Sequence, residues 1–204
     1  MILVGMLDSP YVRRVAVSAK LMGLAFEHKP LSVFRTWDDF HAINPVVKAP
    51  SFVCDDGTVL MDSTLILDYL EAIVPPERRL MPQGVAARRE ALRLVGLAMA
   101  ACEKCVQIHY EKDRRPPDKV HAPWLERVTG QANAALGELE SAAALARPWL
   151  QGGRFNAADV AAACAWRFSQ HYVAHEVPAA RYPALVAYSR RAEALPELVS
   201  TPPD

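Results

Sequence analysis

Apolar and polar positions along the chain change period several times, and each change marks an element. Residues 1–6, MILVGM, form an unbroken apolar run, the pattern of a buried strand. From residue 11 the period becomes helical. Val12, Val15, Ala16, Ala19 and Met22 fall on one face, and Gly23 stands where a C-cap glycine belongs. FEHKPL (26–31) predicts a second short strand, its proline suiting an edge. Residues 32–45 follow no period and read as a polar, irregular connection with a turn at Asn44-Pro45. PSFVC (50–54) and TVLM (58–61) flank the turn Asp55-Asp56-Gly57 and predict a hairpin, with Gly57 able to supply positive φ. Asp62-Ser63 then precede a helix whose apolar face is Leu65, Ile66, Tyr69, Leu70 and Ile73. The order β-α-β, connection, β-β-α is that of one small α/β layer.

VPPERRLMP (74–82) is proline-bearing and charged, and everything after it reads as helix. Residues 84–112 predict a long helix with Leu92, Val95, Met99, Cys102 and Val106 on its apolar stripe, broken by RRPPDKVHAP. Residues 123–146 predict an alanine-rich second helix, and PWLQGGRF reads as a loop. Helices over 157–173 and 183–194 follow, with a loop-like, partly disordered tail LPELVSTPPD. Two domains are expected: an α/β unit over residues 1–76, a linker over 77–82, and an all-α unit over 83–204.

Composition narrows the class of function. Lys+Arg and Asp+Glu number 23 each. That balance argues against nucleic acid as partner, because phosphate binding needs a basic surface. Residues 1–76 hold 6 basic and 9 acidic side chains, net −3, and the rest hold 17 and 14, net +3, in keeping with two units. No run of 18 apolar residues predicts a membrane span, and the N-terminus lacks the basic n-region of a signal peptide. Cys54, Cys102, Cys105 and Cys164 are too scattered for a disulfide framework, so a cytoplasmic location is expected.

Three junctions carry candidate chemistry. Ser9 precedes the first helix; alone it reads as an N-cap, yet a hydroxyl there could also hydrogen-bond a thiolate and lower a thiol pKa. Lys48-Ala49-Pro50 opens the third strand. Its proline is a candidate cis peptide, which would leave the backbone of Ala49 unpaired at the sheet edge for an extended peptide, although X-Pro bonds are mostly trans. Asp62-Ser63 reads as a cap, and by the same physics as a site for an amino-acid head group. The helix N-terminus and Ser63 take the carboxylate and Asp62 takes the ammonium.

Taken together, Ser9-Pro10-Tyr11-Val12-Arg13-Arg14-Val15, Asn44-Pro45-Val46-Val47-Lys48-Ala49-Pro50 and the Asp62-Ser63 of DGTVLMDSTLILDYLE resemble the soluble glutathione transferase family over nearly the whole chain. SPYVRRV is similar to the serine-type motif of tau-like and related bacterial members, and FHAINPVVKAP to a stretch of zeta-like members. The resemblance implies a thioredoxin-like first domain with a mixed sheet and an all-α second domain. It implies glutathione as co-substrate with no further cofactor, and Ser9 as the thiolate-stabilising hydroxyl. It implies that Ala49 pairs with the cysteinyl part with Pro50 cis, that Asp62 and Ser63 hold the γ-glutamyl head group, and that Lys48 lies nearby. His41 or Arg35 would reach the glycyl carboxylate. A small hydrophobic electrophile, detoxification and a homodimer are implied as well, with ERR (77–79) and ARRE (87–90) as subunit contacts or a solvated face. The alternatives are a glutathione-dependent isomerase, a thiol–disulfide reductase and a non-catalytic glutathione-binding protein. The zeta signature's serine pair and cysteine are reduced here to Ser9 between Asp8 and Pro10, and no cysteine stands near position 9.

RFNAADVAAA matches a capping box of the family's second domain, with Asn156 and Asp159 as box residues and Phe155 and Val160 at the staple positions; these are folding residues. Cys102 and Cys105, one turn apart within a long helix, read as core. His109, Tyr110 and Arg114, with Trp166 opposite, are candidates for an acceptor pocket or simply an amphipathic helix end. His171 and His175, at i and i+4 with no third ligand, read as a solvated pair.

Overall fold

The computed structural model describes residues 1–203. The chain forms two compact units, one of Met1–Met81 together with the tail from Leu195, the other of Pro82–Ala194.

The first unit contains β1 (Ile2–Val4), α1 (Pro10–Leu21), β2 (Glu27–Lys29), α2 (Trp37–Ile43), β3 (Ser51–Val53), β4 (Val59–Met61) and α3 (Ser63–Ile73). The sheet order is β2-β1-β3-β4, with β1 parallel to β2 and antiparallel to β3, and β3 antiparallel to β4. The apolar start of the chain becomes an interior strand, with Leu3 and Val4 fully buried. On α1 the predicted face is buried: Val12, Val15, Ala16, Ala19 and Met22 are at most 1% exposed. The helix ends in a Schellman motif. Gly23, at φ +70°, donates to the Lys20 carbonyl and Leu24 to that of Ala19, both at 2.9 Å.

Three readings of this unit change. The connection expected to be irregular contains α2, whose one fully buried residue, Phe40, packs with Val4 and Val47. A single aromatic anchor produces no period, so the pattern left the helix invisible. On α3 the buried positions are Ile66, Leu67 and Leu70, while Leu65 and Ile73 are exposed. The segment expected as linker is attached: Val74 and Leu80 are buried, and Glu71 Oε1 accepts the N–H groups of Leu80 (2.8 Å) and Met81 (2.9 Å), so the unit runs to Met81 rather than 76.

The second unit holds α4 (Val85–Asp113), α5 (Ala122–Leu145), α6 (Ala157–Tyr172) and α7 (Pro183–Ala192). The predicted α4 stripe is rotated. Leu92 is half exposed, and the buried line runs through Ala91, Leu94, Val95, Ala98, Ala101, Cys102, Cys105 and Ile108. α4 packs on both α5 and α6. Small residues allow two helices to approach one face, where a reading weighted to large side chains looks elsewhere. Both Cys102 and Cys105 are core, and burial, with the Glu176 charge adding to it, pushes the Cys105 thiol up to about 12. The capping box of α6 forms. Asn156 Oδ1 accepts from Ala158 N (2.8 Å) and Asp159 Oδ2 from Asn156 N (2.9 Å), with Phe155 and Val160 buried.

The tail is ordered into α8 (Pro196–Val199), against the expectation of partial disorder. It packs on α1, where Arg13, 2% exposed, donates from Nε to the Thr201 carbonyl (2.8 Å) and from Nη2 to that of Leu198 (3.4 Å). Lys20 Nζ reaches Ser200 as well. Residues 195–203 therefore belong with the α/β unit and not with the helical one. Among the described residues no helix is long and apolar enough to cross a membrane.

Candidate functional site

The sheet register brings the three candidate junctions to one end of the first unit. Val4, the last residue of β1, pairs with Ser51, the first of β3, and Ser51 pairs with Met61, the last of β4. The chain therefore leaves β1 toward Ser9, enters β3 from Lys48-Ala49-Pro50 and leaves β4 into Asp62-Ser63, all beyond the same row.

Ser9 is the N-cap of α1, with Oγ accepting from Val12 N at 3.4 Å. That bond is long and uses an oxygen lone pair, so the hydroxyl proton is still available to donate. The Ala49-Pro50 bond is cis. Neither the N–H nor the C=O of Ala49 is hydrogen-bonded among the described residues. Ala49 lies past the end of β3, an interior strand, so its unpaired backbone is at the sheet's end rather than along a lateral edge as expected. It sits close to Gly5 and Val12. A Cβ on Gly5 would come within 2.6 Å of Val12 Cγ2 and 3.3 Å of Ala49 Cβ, and Gly5 has φ +136°. Gly5→Ala is expected to destabilise the protein by about 1–3 kcal/mol, from overpacking and the disfavoured backbone together, measurable by denaturant unfolding.

A polar scaffold that sequence reasoning missed holds the Lys48–Pro50 loop. Asn44, 5% exposed, donates from Nδ2 to Ser51 Oγ (2.8 Å), and Ser51, fully buried, donates to the Lys48 carbonyl (2.8 Å). Asn44 Oδ1 also accepts from Val46 N (3.0 Å), and Val47 is held at φ +50°, costly for a β-branched residue. Asn44-Pro45 signals a turn in the sequence; that Asn44 reaches across to Ser51 is visible only in three dimensions.

Asp62 caps α3 through Oδ1, which accepts from Thr64 N (2.9 Å), and Oδ2 lies 3.4 Å from Lys48 Nζ. Partial burial pulls its carboxyl up, but the Thr64 N–H and the Lys48 charge together outweigh that and hold it below the ordinary 3.8. Ser63 is 3% exposed, and its Oγ accepts from Arg14 Nη1 at 3.1 Å. Arg14, 4% exposed, also donates to Thr64 Oγ1 (3.2 Å). The sequence signal for Arg14 was an arginine pair inside an apolar helix, which periodicity alone did not convert into a role.

Ser9, Lys48, Ala49, Pro50, Asp62 and Ser63 thus share one end of the sheet. His41, on α2, and Arg35, before it, are exposed, and although the Arg35 backbone N–H donates to Ser32 Oγ (3.1 Å), neither side chain makes a hydrogen bond or ion pair among the described residues. In the second unit the acceptor-pocket candidates His109 and Trp166 each have ring partners of their own. His109 bonds Asp113 (2.8 Å) and lies 4.5 Å from the Tyr172 ring, while buried Trp166 packs edge-on against Tyr182. His171 and His175 do not share a helix, because α6 ends at Tyr172.

Residues 3–78 match the glutathione S-transferase N-terminal domain model, and residues 122–191 match the glutathione S-transferase C-terminal domain model. A maleylacetoacetate isomerase of Pseudomonas aeruginosa is 26% identical over 160 residues, covering 72% of this chain and 71% of its own. A glutathione S-transferase of Methylobacterium radiotolerans, solved with glutathione sulfonate, is 27% identical at a TM-score of 0.91, covering 99% of this chain and 94% of its own. A glutathione transferase family member of Pseudomonas fluorescens, solved with bound glutathione, is 29% identical at a TM-score of 0.84, covering 100% and 98%. With a thioredoxin-like first unit, a helical second unit and both domain models in order, the chain belongs to the glutathione S-transferase family.

Proposed function

We propose that this protein binds glutathione across the end of the sheet and activates its thiol for attack on an electrophilic carbon. The convergence of Ser9, the unpaired Ala49 backbone and the Asp62-Ser63 cap beyond one register row carries the reading. The γ-glutamyl ammonium meets the Asp62 carboxylate, which is ionised at neutral pH, and the α-carboxylate meets Ser63 at the α3 N-terminus. The cysteinyl backbone pairs with the N–H and C=O of Ala49 as a short added strand. This places the sulfur toward Ser9 at the start of α1. The thiol releases its proton to solvent, and the Ser9 hydroxyl and the positive end of α1 stabilise the thiolate. The thiolate then forms the carbon–sulfur bond while the leaving group departs with its electron pair. A dimer, and a small hydrophobic electrophile as second substrate, belong to the same proposal.

A second reading, glutathione-dependent isomerisation, is favoured by the resemblance to the P. aeruginosa isomerase. The single serine between Asp8 and Pro10 weighs against it. Calorimetric titration with glutathione, followed by turnover of a generic aryl halide and of a maleyl diketone, separates the readings. The expected result is saturable glutathione binding and conjugation of the halide, with isomerisation at background. Isomerisation without conjugation would transfer the assignment to the second reading, binding without either turnover would leave a binding protein, and no binding would remove both enzymatic readings.

A further inference from the structure

We propose that Arg14 is a positioning residue for the carboxylate end of this site, setting the direction in which the Ser63 hydroxyl donates. The inference rests on the glutathione reading above. Arg14 lies on α1, more than a turn beyond the Ser9 cap, with 4% of its surface exposed. Its Nη1 donates to Ser63 Oγ at 3.1 Å and to Thr64 Oγ1 at 3.2 Å. A guanidinium carries five N–H donors and no acceptor, and it stays protonated at any working pH.

A hydroxyl facing an ordinary polar neighbour can donate or accept. Facing Arg14, Ser63 and Thr64 can only accept, so their protons must point elsewhere. The Thr64 hydroxyl turns its proton to the Asp62 carboxylate, whereas the Ser63 hydroxyl donates to no protein atom among the described residues although Ser63 is only 3% exposed. A buried hydroxyl proton without an acceptor is a group prepared for a partner from outside the chain. The partner that fits an oriented hydroxyl donor at a helix N-terminus, backed by a fixed cation, is a carboxylate. The cation also polarises the Ser63 O–H bond and makes it a stronger donor.

A merely structural role for Arg14, stapling α1 to α3, would weaken every ligand of the site equally. A positioning role weakens only ligands that place a carboxylate on Ser63. Titration of the purified full chain with glutathione and with cysteinylglycine, which lacks the γ-glutamyl group, distinguishes the two. For Arg14→Met, the glutathione Kd is expected to rise about tenfold, the scale of one hydrogen bond to a charged group, with the cysteinylglycine Kd unchanged. In a Ser63→Ala background the same substitution is expected to cost less than in the wild type, because the two residues act through one contact. Arg14→Gln, whose uncharged amide can accept as well as donate, gives the same comparison if Arg14→Met does not fold. Wild-type glutathione affinity in the folded Arg14 variant, equal weakening of both ligands, or additive losses would overturn the proposal. If instead Ser63→Ala binds glutathione as tightly as the wild type, or the wild type binds none, the glutathione reading of this end fails and the inference with it.

Discussion

Replacing Ser9 by alanine is expected to lower kcat/KM for glutathione conjugation about 10²-fold, the usual cost of removing one preorganised donor to developing negative charge. The pH profile should shift with it, because losing a hydrogen bond to the thiolate raises the apparent thiol pKa, by about 1–2 units. Capping complicates the interpretation, since Ser9 Oγ also accepts from Val12 N, and Ser→Ala at an N-cap costs about 1 kcal/mol of stability. Ser9→Gly separates the two roles. Glycine caps nearly as well as serine but has no hydroxyl, so it should restore most of the stability and none of the rate. Recovery of activity in Ser9→Gly, or an unchanged rate in Ser9→Ala, would show that the hydroxyl does no chemistry and that the cap is its whole role.

Asp159→Ala is expected to have the largest effect on stability. Asp159 is fully buried and accepts from Asn156 N (2.9 Å), Leu150 N (2.8 Å) and the Tyr188 hydroxyl (2.7 Å). Burial raises its carboxyl above the ordinary range despite those three donors, and drives the Tyr188 phenol up as well. Alanine would leave three donors unpaired in a site too tight for easy rehydration, at a cost of about 3–5 kcal/mol. For a chain of this size that corresponds to a melting temperature lower by on the order of 10 °C. Asn156→Ala removes only the outer half of the box and should cost about 1 kcal/mol. Equal losses for the two variants would mean that the box alone matters and that the Leu150 and Tyr188 contacts contribute nothing. Differential scanning calorimetry on both variants makes the comparison.

What the sequence made legible was local. The four strands, read as short separate runs, the Gly23 stop, the Gly57 turn and the Asn156 box each depend on a few neighbouring residues, and each was found where expected. The candidate site was legible in the same way, because Ser9, Ala49-Pro50 and Asp62-Ser63 sit at element junctions that capping and turn chemistry mark. What lay beyond reach acts at a distance. Arg14 meets Ser63 from 49 positions away and Arg13 meets Thr201 from 188, and neither bond has any signature in the residues beside it. α2 was missed because one buried aromatic anchors it, and the α4 face was misplaced because alanine marks a close helix contact as well as leucine marks a core. The first error comes from requiring a period, the second from treating large apolar side chains as the measure of burial.

The grip of Arg13 on the carbonyls of 198 and 201 has a consequence for how the protein could be taken apart. The polypeptide enters the helical unit after Met81 and returns from it before Leu195, so no single cut separates the two units. A fragment ending at Met81 would present a buried arginine with its acceptors missing, and a fragment beginning at Pro82 would carry a stretch that folds only against the other piece. Complementation in trans would then depend on that short stretch finding α1. A circular permutant opened between Ala194 and Leu195 would instead keep every residue of the α/β unit in one uninterrupted segment, which makes that position the natural opening for rewiring the chain.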